Sequence, residues 1–381
     1  MARNSNKNLN DAAKAKKDEF YTQLEDIERE LRHEEYKEFF KGKVVLCNCD
    51  DPYESEFFKY FAMNFNALGL KKLIVTCYAG SPVAQTELNF DTGGIIDRKH
   101  RNEYAYKVVI NEFKDWNGDG REDLEDIKEY ILSHRGSWER LQGNGDFRSA
   151  ECIEILKEAD VVVTNPPFSL FREYVAQLMQ YNKKFIILGN KNAITYKEIF
   201  PLIQQNKIWT GYTKWAGGLW FVSEVPNVFD KEVEGVKLKN TAAIWFTNIP
   251  LKKYLEEIPL VCSYYENPER YPKYDNYDAI EVSKTAQIPY DYLPSMDLTN
   301  ATENDTLSIN QSINQSINQC ACSGVMGVPV TFLDKYNSNQ FEIVGCSYLY
   351  GDPGVHVKGT TWNAQINGKD IYKRLFIRRN L

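Results

Sequence analysis

No run of eighteen apolar residues occurs in the 381-residue chain, so nothing in it reads as a membrane-spanning helix. The N-terminal Met1-Ala2-Arg3-Asn4-Ser5-Asn6-Lys7 lacks the apolar centre of a secretory signal. Eight cysteines are scattered without any Cys-x-x-Cys pair, which leaves no zinc-binding pattern. Cys47 and Cys49 stand two apart in an apolar run, where they would pair poorly. Reduced thiols are the better reading, and with them a cytoplasmic location. The four histidines, His33, His100, His134 and His356, show no metal-ligand spacing, and no metal site is assigned. Acids outnumber bases, 53 to 46, for a net charge of −7. That balance argues mildly against nucleic acid as a partner, but local patches decide binding.

Such patches stand at the two ends. Residues 1–17 carry Arg3, Lys7, Lys14, Lys16 and Lys17 against Asp11, and residues 369–381 carry Lys369, Lys373, Arg374, Arg378 and Arg379 against Asp370. For the tails taken alone, solvated termini are the better reading. If the chain binds DNA, Arg374, Arg378 and Arg379 are the expected phosphate contacts, because they follow the last apolar segment.

Between the ends, strand and helix signals alternate. A charged helical stretch spans about 18–40. Buried strands are expected at 43–48, 72–78, 106–110, 160–164 and 184–189, with 218–222 and 242–247 completing the sheet. Helices are expected at 54–65, 123–132 and 150–158, and from 168 through Met179. This alternation implies an α/β fold with a parallel sheet, whose ligands bind in loops at the carboxyl ends of the strands. Ser-Ile-Asn-Gln repeats three times over 308–319. With so little apolar content, 295–323 reads as a low-complexity insertion.

Asn165-Pro166-Pro167-Phe168 follows the cleanest strand and is the strongest chemical signal. The Asn165 side-chain carbonyl and the Pro166 backbone carbonyl can accept hydrogen bonds from an amino group on a flat ring. Such contacts draw the nitrogen lone pair out of conjugation and aim it at an electrophilic methyl group. Pro166 and Pro167 stiffen the loop, and Phe168 offers a face for a base to stack on. The bland alternative is a proline-rich strand-to-helix turn.

With further segments, the sequence resembles the EcoRI-type adenine-specific DNA methyltransferases, within the N6-adenine methyltransferases. The segments are 18–23, Cys47-Asn48-Cys49-Asp50-Asp51-Pro52 with Phe57-Phe58-Lys59-Tyr60-Phe61, Gly145-Asp146-Phe147-Arg148-Ser149, Asn165 to Phe168, Leu188-Gly189-Asn190, Met326-Gly327-Val328-Pro329 and 332–336. The resemblance implies a Rossmann-like S-adenosylmethionine-dependent fold with a C-terminal DNA-recognition extension. Its parts would be 1–40 with a cofactor motif, 41–294 as catalytic domain, the 295–323 insertion, and 324–381 for recognition of double-stranded DNA. It implies that Phe20, Tyr21 and Thr22 flank the methionine end of the cofactor, Thr22 and nearby backbone groups holding its carboxylate. Asn48, Asp50 and Asp51 replace the usual glycine-rich loop, and either acid could hold the amino group or a ribose hydroxyl. Cys77-Tyr78 stands where an acid for the ribose is common. Asp146, with Phe147, would accept from the cofactor's adenine amino group; a turn or helix-capping role is the alternative. A monomer without an obligate protein partner is expected.

Other readings stay open on the residues alone. The same motif serves RNA adenine methyltransferases and glutamine-methylating protein methyltransferases. Cytosine N4 enzymes more often carry Ser for Asn165, and the intact motif speaks against a DNA-binding module without turnover. Separately, Asp115, Asp119, Asp123 and Asp126 fall at positions 1, 5, 9 and 12 of a calcium-loop pattern with Gly120 at position 6. Either a calcium site or a solvated turn before a helix fits that segment.

Overall fold

The computed structural model describes residues 21–49, 55–78, 105–120, 123–134, 137–215, 217–223, 229–233, 235–293, 323–347 and 363–380. Phe20, Asp50, Asp51 and the Ser-Ile-Asn-Gln tract lie outside them. The chain forms two compact units: Met1–Ala193 with Ile208–Ile249, and Ile194–Lys207 with Pro250–Leu381.

The first unit is built on an eight-stranded sheet. Its centre is four parallel strands: β3 (Lys72–Thr76), β2 (Val44–Asn48), β6 (Val161–Thr164) and β7 (Lys184–Asn190), in that spatial order. Strand β2 is buried at all five positions and β6 at all four. Each fully buried Val, Leu or Ile there contributes about 1.5–3 kcal/mol from burial. Antiparallel strands flank this centre. They are β4 (Tyr106–Ile110) and β5 (Trp138–Arg140) on one side, and β12 (Ala243–Thr247) and β8 (Trp209–Thr210) on the other. The sheet is therefore mixed, where the sequence pattern suggested a parallel one.

Strand β9 (Leu219–Val222) does not complete this sheet, contrary to the sequence reading. It lies in a separate four-stranded sheet, ordered β1 (Tyr21–Thr22), β9, β11 (Val236–Thr241) and β10 (Lys231–Val233). Its burial pattern explains the difference. Leu219 and Phe221 are buried while Trp220 and Val222 are half-exposed, as in a sheet covered on one face only.

Helix α1 (Leu24–Leu31) and α2 (Glu34–Phe40) replace the single helix expected over 18–40. Extended backbone at His33 breaks the run. Fully buried Glu30 fixes this pair: its carboxylate accepts from Tyr36 Oη at 2.9 Å and from the backbone amides of Tyr212 and Thr213, each at 2.7 Å. Helix α3 (Glu56–Met63) starts on Ser55, whose hydroxyl accepts from the Phe57 and Phe58 amides. Helix α4 (Leu124–Ser133) starts on a capping box between Asp123 and Asp126. Ser149 caps α5 (Ala150–Glu158). Helix α6 (Phe171–Gln180) follows β6 after a single 3-10 turn, Phe168–Leu170.

In the second unit, α7 (Phe200–Gln204) is the one α-helix among the described residues. A four-stranded sheet runs β13 (Ile280–Glu281), β14 (Met326–Pro329), β18 (Arg374–Arg379) and β15 (Phe341–Cys346). The short hairpin β16 (Ala364–Ile366) and β17 (Lys369–Ile371) turns on Asn367-Gly368, both at positive φ. Strand β18 pairs on both sides, and this corrects the expectation for the basic C-terminal end. Arg374 is largely covered and bonds buried Glu281 with its Nε and Nη2, the shortest contact 2.8 Å, while Tyr274 Oη donates to the same carboxylate. Arg379 donates to the Tyr290 carbonyl, and burial holds its pKa below the usual value. Arg378 lies 3.8 Å from Glu342. The arginines flank the buried run Leu375, Phe376 and Ile377 because the segment is an interior strand rather than a tail.

Two outcomes follow for the second unit. Arg374→Ala strands the Glu281 carboxylate and is expected to cost about 3–5 kcal/mol in urea unfolding, most of it recovered when Glu281→Leu is added; an unchanged midpoint would count against the pair. The tract from 294 to 322 joins ends already held together, since the Gly324 amide donates to the Tyr292 carbonyl at 3.0 Å. Deleting 300–320 is therefore expected to shift the melting temperature by less than about 4 °C; a larger fall would show that the tract packs.

Candidate active site

The carboxyl ends of β3, β2, β6 and β7 lie along one edge of the sheet. At this edge β6 delivers Asn165 to Phe168. Asn165 is half-buried with its Oδ1 closed to solvent, Pro166 is buried, and Pro167 and Phe168 are partly open. The Leu170 amide donates to the Pro167 carbonyl at 2.9 Å and closes the turn. The Phe168 ring stands perpendicular to Phe221 of β9, with centroids 6.4 Å apart.

Phe221 pairs across the strands with Thr22 of β1, so the two side chains share a face. Gln23 secures β1 by donating to the Trp220 carbonyl at 2.5 Å. The Thr22 side chain is buried, and its hydroxyl has no hydrogen-bond partner among the described residues. Buried hydroxyls are nearly always bonded, so Thr22 is suited to a ligand. Of its expected neighbours, Tyr21 lies in β1 and Phe20 is outside the described residues.

Asn48 ends β2, buried, with its Oδ1 accepting from Tyr174 Oη and its carbonyl from the Thr164 hydroxyl. Its side chain is thus turned to α6, and it supports the edge from within. Cys49 follows at φ +74°.

The segment 143–147 lies against the end of β3. Gly145 has φ +77°, and a Cβ there would stand 2.1 Å from the Cys77 carbonyl oxygen, so no other residue lets the loop sit so close. Asp146 follows, half-exposed. Arg148 grips its carboxylate through Nε at 2.9 Å and Nη2 at 2.8 Å, and reaches Glu173 of α6 at 2.8 Å. Hydrogen bonds to Asp146 and then Glu173 push the Arg148 pKa above its already high value, so the guanidinium stays charged. Phe147 is buried edge-on to Tyr174 at 5.0 Å, and its carbonyl accepts from Gln177 at 3.0 Å. Tyr174, Gln177, Arg148 and Phe221 were not singled out from the sequence. Gln177 lies among polar residues of α6 and Arg148 just before α5, where a bracing residue looks like a solvated one, while Tyr174 and Phe221 are buried and read as core.

The acidic loop at 115–126 is organised around its own backbone. Asp115 accepts from the amides of Gly118, Asp119 and Gly120 at 2.7–3.2 Å. Asp126 accepts from Trp116, Asn117 and Asp123 at 2.8–3.1 Å. Burial opposes the Asp126 charge, yet these amides hold its pKa below the ordinary value. Among the described residues no group of three or more His, Cys, Asp or Glu is arranged to hold a metal ion, and no helix is long and apolar enough to cross a membrane.

The family model described as adenine-specific methyltransferase EcoRI matches residues 8–301 and 302–380. The Type II methyltransferase M.EcoRI of Escherichia coli is 40% identical over 99% of this chain and 98% of its own. M.MpnI of Mycoplasma pneumoniae is 36% identical over 89% of this chain and 85% of its own. M.MgeORF184P of Mycoplasma genitalium is 32% identical over 97% and 98%. No solved structure matches the chain. With a family match over nearly its whole length and relatives of this likeness, the chain belongs to the EcoRI family of adenine-specific methyltransferases.

Proposed function

We propose that the chain transfers a methyl group from S-adenosylmethionine to the N6 nitrogen of an adenine turned out of duplex DNA, as the modification enzyme of a restriction–modification system. The observation that carries the mechanism is Asn165-Pro166-Pro167-Phe168 at the carboxyl end of β6, facing Phe221. Family membership favours adenine as target, and neither an RNA nor a protein-glutamine substrate is needed to account for any residue.

Asn165 Oδ1 and the Pro166 carbonyl accept the two N6 protons. Holding both turns the nitrogen toward tetrahedral geometry and frees its lone pair from the ring. When bound, the cofactor would supply a sulfonium-bound methyl group as electrophile and retain the carbon–sulfur electron pair on sulfur, while N6 would give up one proton to solvent. The two acceptors stabilise positive charge as it grows on N6, and the prolines fix the turn that presents them. Phe168, partly open and backed edge-on by fully buried Phe221, gives the base an aromatic contact that offsets lost stacking in the duplex.

Thr22 and Asp146 fit the cofactor. The Thr22 hydroxyl is buried, with no partner among the described residues, beside Phe221. It would take the methionine carboxylate, which places the methyl group near the target base. Asp146, oriented by Arg148, would accept from the cofactor's adenine amino group. Tyr21 and Phe147 would wall the two ends, Asn48 would support the edge from behind, and Phe20, Asp50 and Asp51 remain expected contributors on sequence grounds. The parallel centre of the sheet, with its loops at the carboxyl edge, supports a Rossmann-like reading of the first unit. Recognition of the duplex is assigned to the second unit, which exposes Tyr290 and Tyr372. With Arg374 held by Glu281, phosphate contacts fall to other basic groups.

The assay is transfer of tritiated methyl groups to duplex DNA, RNA and protein in turn, followed by mapping of the modified base. Asn165→Ala is expected to lower kcat about 100- to 1,000-fold with cofactor affinity unchanged, and Asn165→Asp less, since a carboxylate still accepts. An alanine variant of normal rate would remove the mechanism. Thr22→Val and Asp146→Ala are each expected to weaken cofactor binding about tenfold or more in calorimetry; unchanged affinity in both would move the cofactor elsewhere.

A further inference from the structure

The sheet face that carries Thr22 and Phe221 holds a second buried hydroxyl. Thr241 ends β11 and pairs with Leu219 of β9. Leu219 and Phe221 are two apart on one strand, so Thr241, Leu219, Phe221 and Thr22 project from the same face. That face meets the target loop through the Phe168–Phe221 contact. Thr241 is only 4% exposed, and its Oγ1 is buried with no hydrogen-bond partner among the described residues.

The backbone around it is held from both sides. Asn240 Nδ2 donates to the Gly217 carbonyl at 2.7 Å. Gly218 (φ +65°) lies so near that a Cβ on it would stand 2.2 Å from the Thr241 carbonyl oxygen. Two residues on, the chain enters β12, where Ala243 pairs with Asn190 at the carboxyl end of β7. Strand β7 neighbours β6, so Thr241 stands beyond the same sheet edge as Asn165. A fixed hydroxyl with no partner among the described residues, closed to water on the face that backs Phe168, is suited to a ligand with an acceptor.

Resting on the function proposed above, we propose that Thr241 donates a hydrogen bond to a ring nitrogen of the target adenine and so helps select that base. The chemistry is complementary. Asn165 and Pro166 offer acceptors, which match the amino group. Apart from that amino group, the adenine base edge presents only acceptors, N1, N3 and N7, which call for a donor. Guanine reverses the pattern at its upper edge, with a carbonyl where adenine has its amino group and an N–H at N1. An acceptor pair with a donor on a ring nitrogen thus favours adenine over guanine, and a donor that meets N3 or N7 also separates adenine from cytosine, whose one ring acceptor stands beside its amine.

The test uses full-length protein and duplexes carrying adenine, 1-deazaadenine, 3-deazaadenine or 7-deazaadenine at the target. Thr241→Val keeps the shape and removes the hydroxyl. It is expected to lower kcat/KM for the adenine duplex about tenfold or more, with the cofactor KM and the melting temperature unchanged. Thr241→Ser, which restores the hydroxyl, should recover most of the loss. One deaza duplex should cost the wild type a similar factor and cost Thr241→Val nothing further, because the bond is already gone. Normal kcat/KM in Thr241→Val, a loss that falls on the cofactor KM, or losses additive with all three deaza duplexes would each overturn the proposal. If the valine variant does not fold, Thr241→Ala takes its place in the same comparison. Asn165→Ala run alongside separates the two readings: an inactive Asn165→Ala beside a fully active Thr241→Val removes the Thr241 proposal alone.

Discussion

Three contacts leave neighbouring turns of α6: Tyr174 to Asn48, Gln177 to the Phe147 carbonyl, and Glu173 to Arg148, which grips Asp146. The helix begins a single turn after Phe168. Whatever fixes α6 against the sheet therefore fixes the end of β2, the 143–147 loop and the 165–168 loop together. Phe171, Tyr174, Val175 and Leu178 bury the helix's apolar face, and that packing sets the register of the polar contacts. Methyl transfer needs the donor carbon and acceptor nitrogen aligned within a fraction of an ångström, and one rigid element joining the proposed cofactor and target half-sites is the economical way to keep them so.

The second support comes from outside the large sheet. Strand β1 is only two residues long, too short to hold its place alone, yet it carries Thr22. Gln23 ties it to β9, and the helices that follow are anchored by Glu30 on the Tyr212 and Thr213 amides. A buried carboxylate receiving three donors is costly to leave unmatched, so that junction has essentially one arrangement. The small sheet can then set Phe221 against Phe168.

The central strands were legible because both faces are buried and the residues form unbroken apolar runs, as in Val161-Val162-Val163. Asn165-Pro166-Pro167-Phe168 was legible because its chemistry is contiguous in sequence. The antiparallel flanks were not: strand direction depends on how far the connection travels, which local patterning does not encode. Residues 369–381 misled for a related reason. Basic residues around an apolar core read as a solvated tail, whereas Glu281 and the Tyr290 carbonyl engage Arg374 and Arg379 from almost a hundred residues away. Glu30 in α1 and Tyr174 in α6 hide in the same manner, each among polar neighbours with a partner distant in sequence.

That misplaced end bears on how an acidic protein meets a polyanion. With net charge −7, long-range attraction is weak, and each arginine committed to an internal carboxylate lessens what remains for phosphate. Arg148 and Arg374 are both so committed. Under the proposed mechanism a duplex site is held by a few local contacts and by what the extruded base itself gains, so affinity and base recognition become linked. In the proposed mechanism the buried polar atoms of Thr22, Asn165 and Thr241, with Phe168 and Phe221, are where that gain is made. A wrong base leaves donors and acceptors desolvated without partners, and that penalty discriminates more sharply than any attraction between exposed charges.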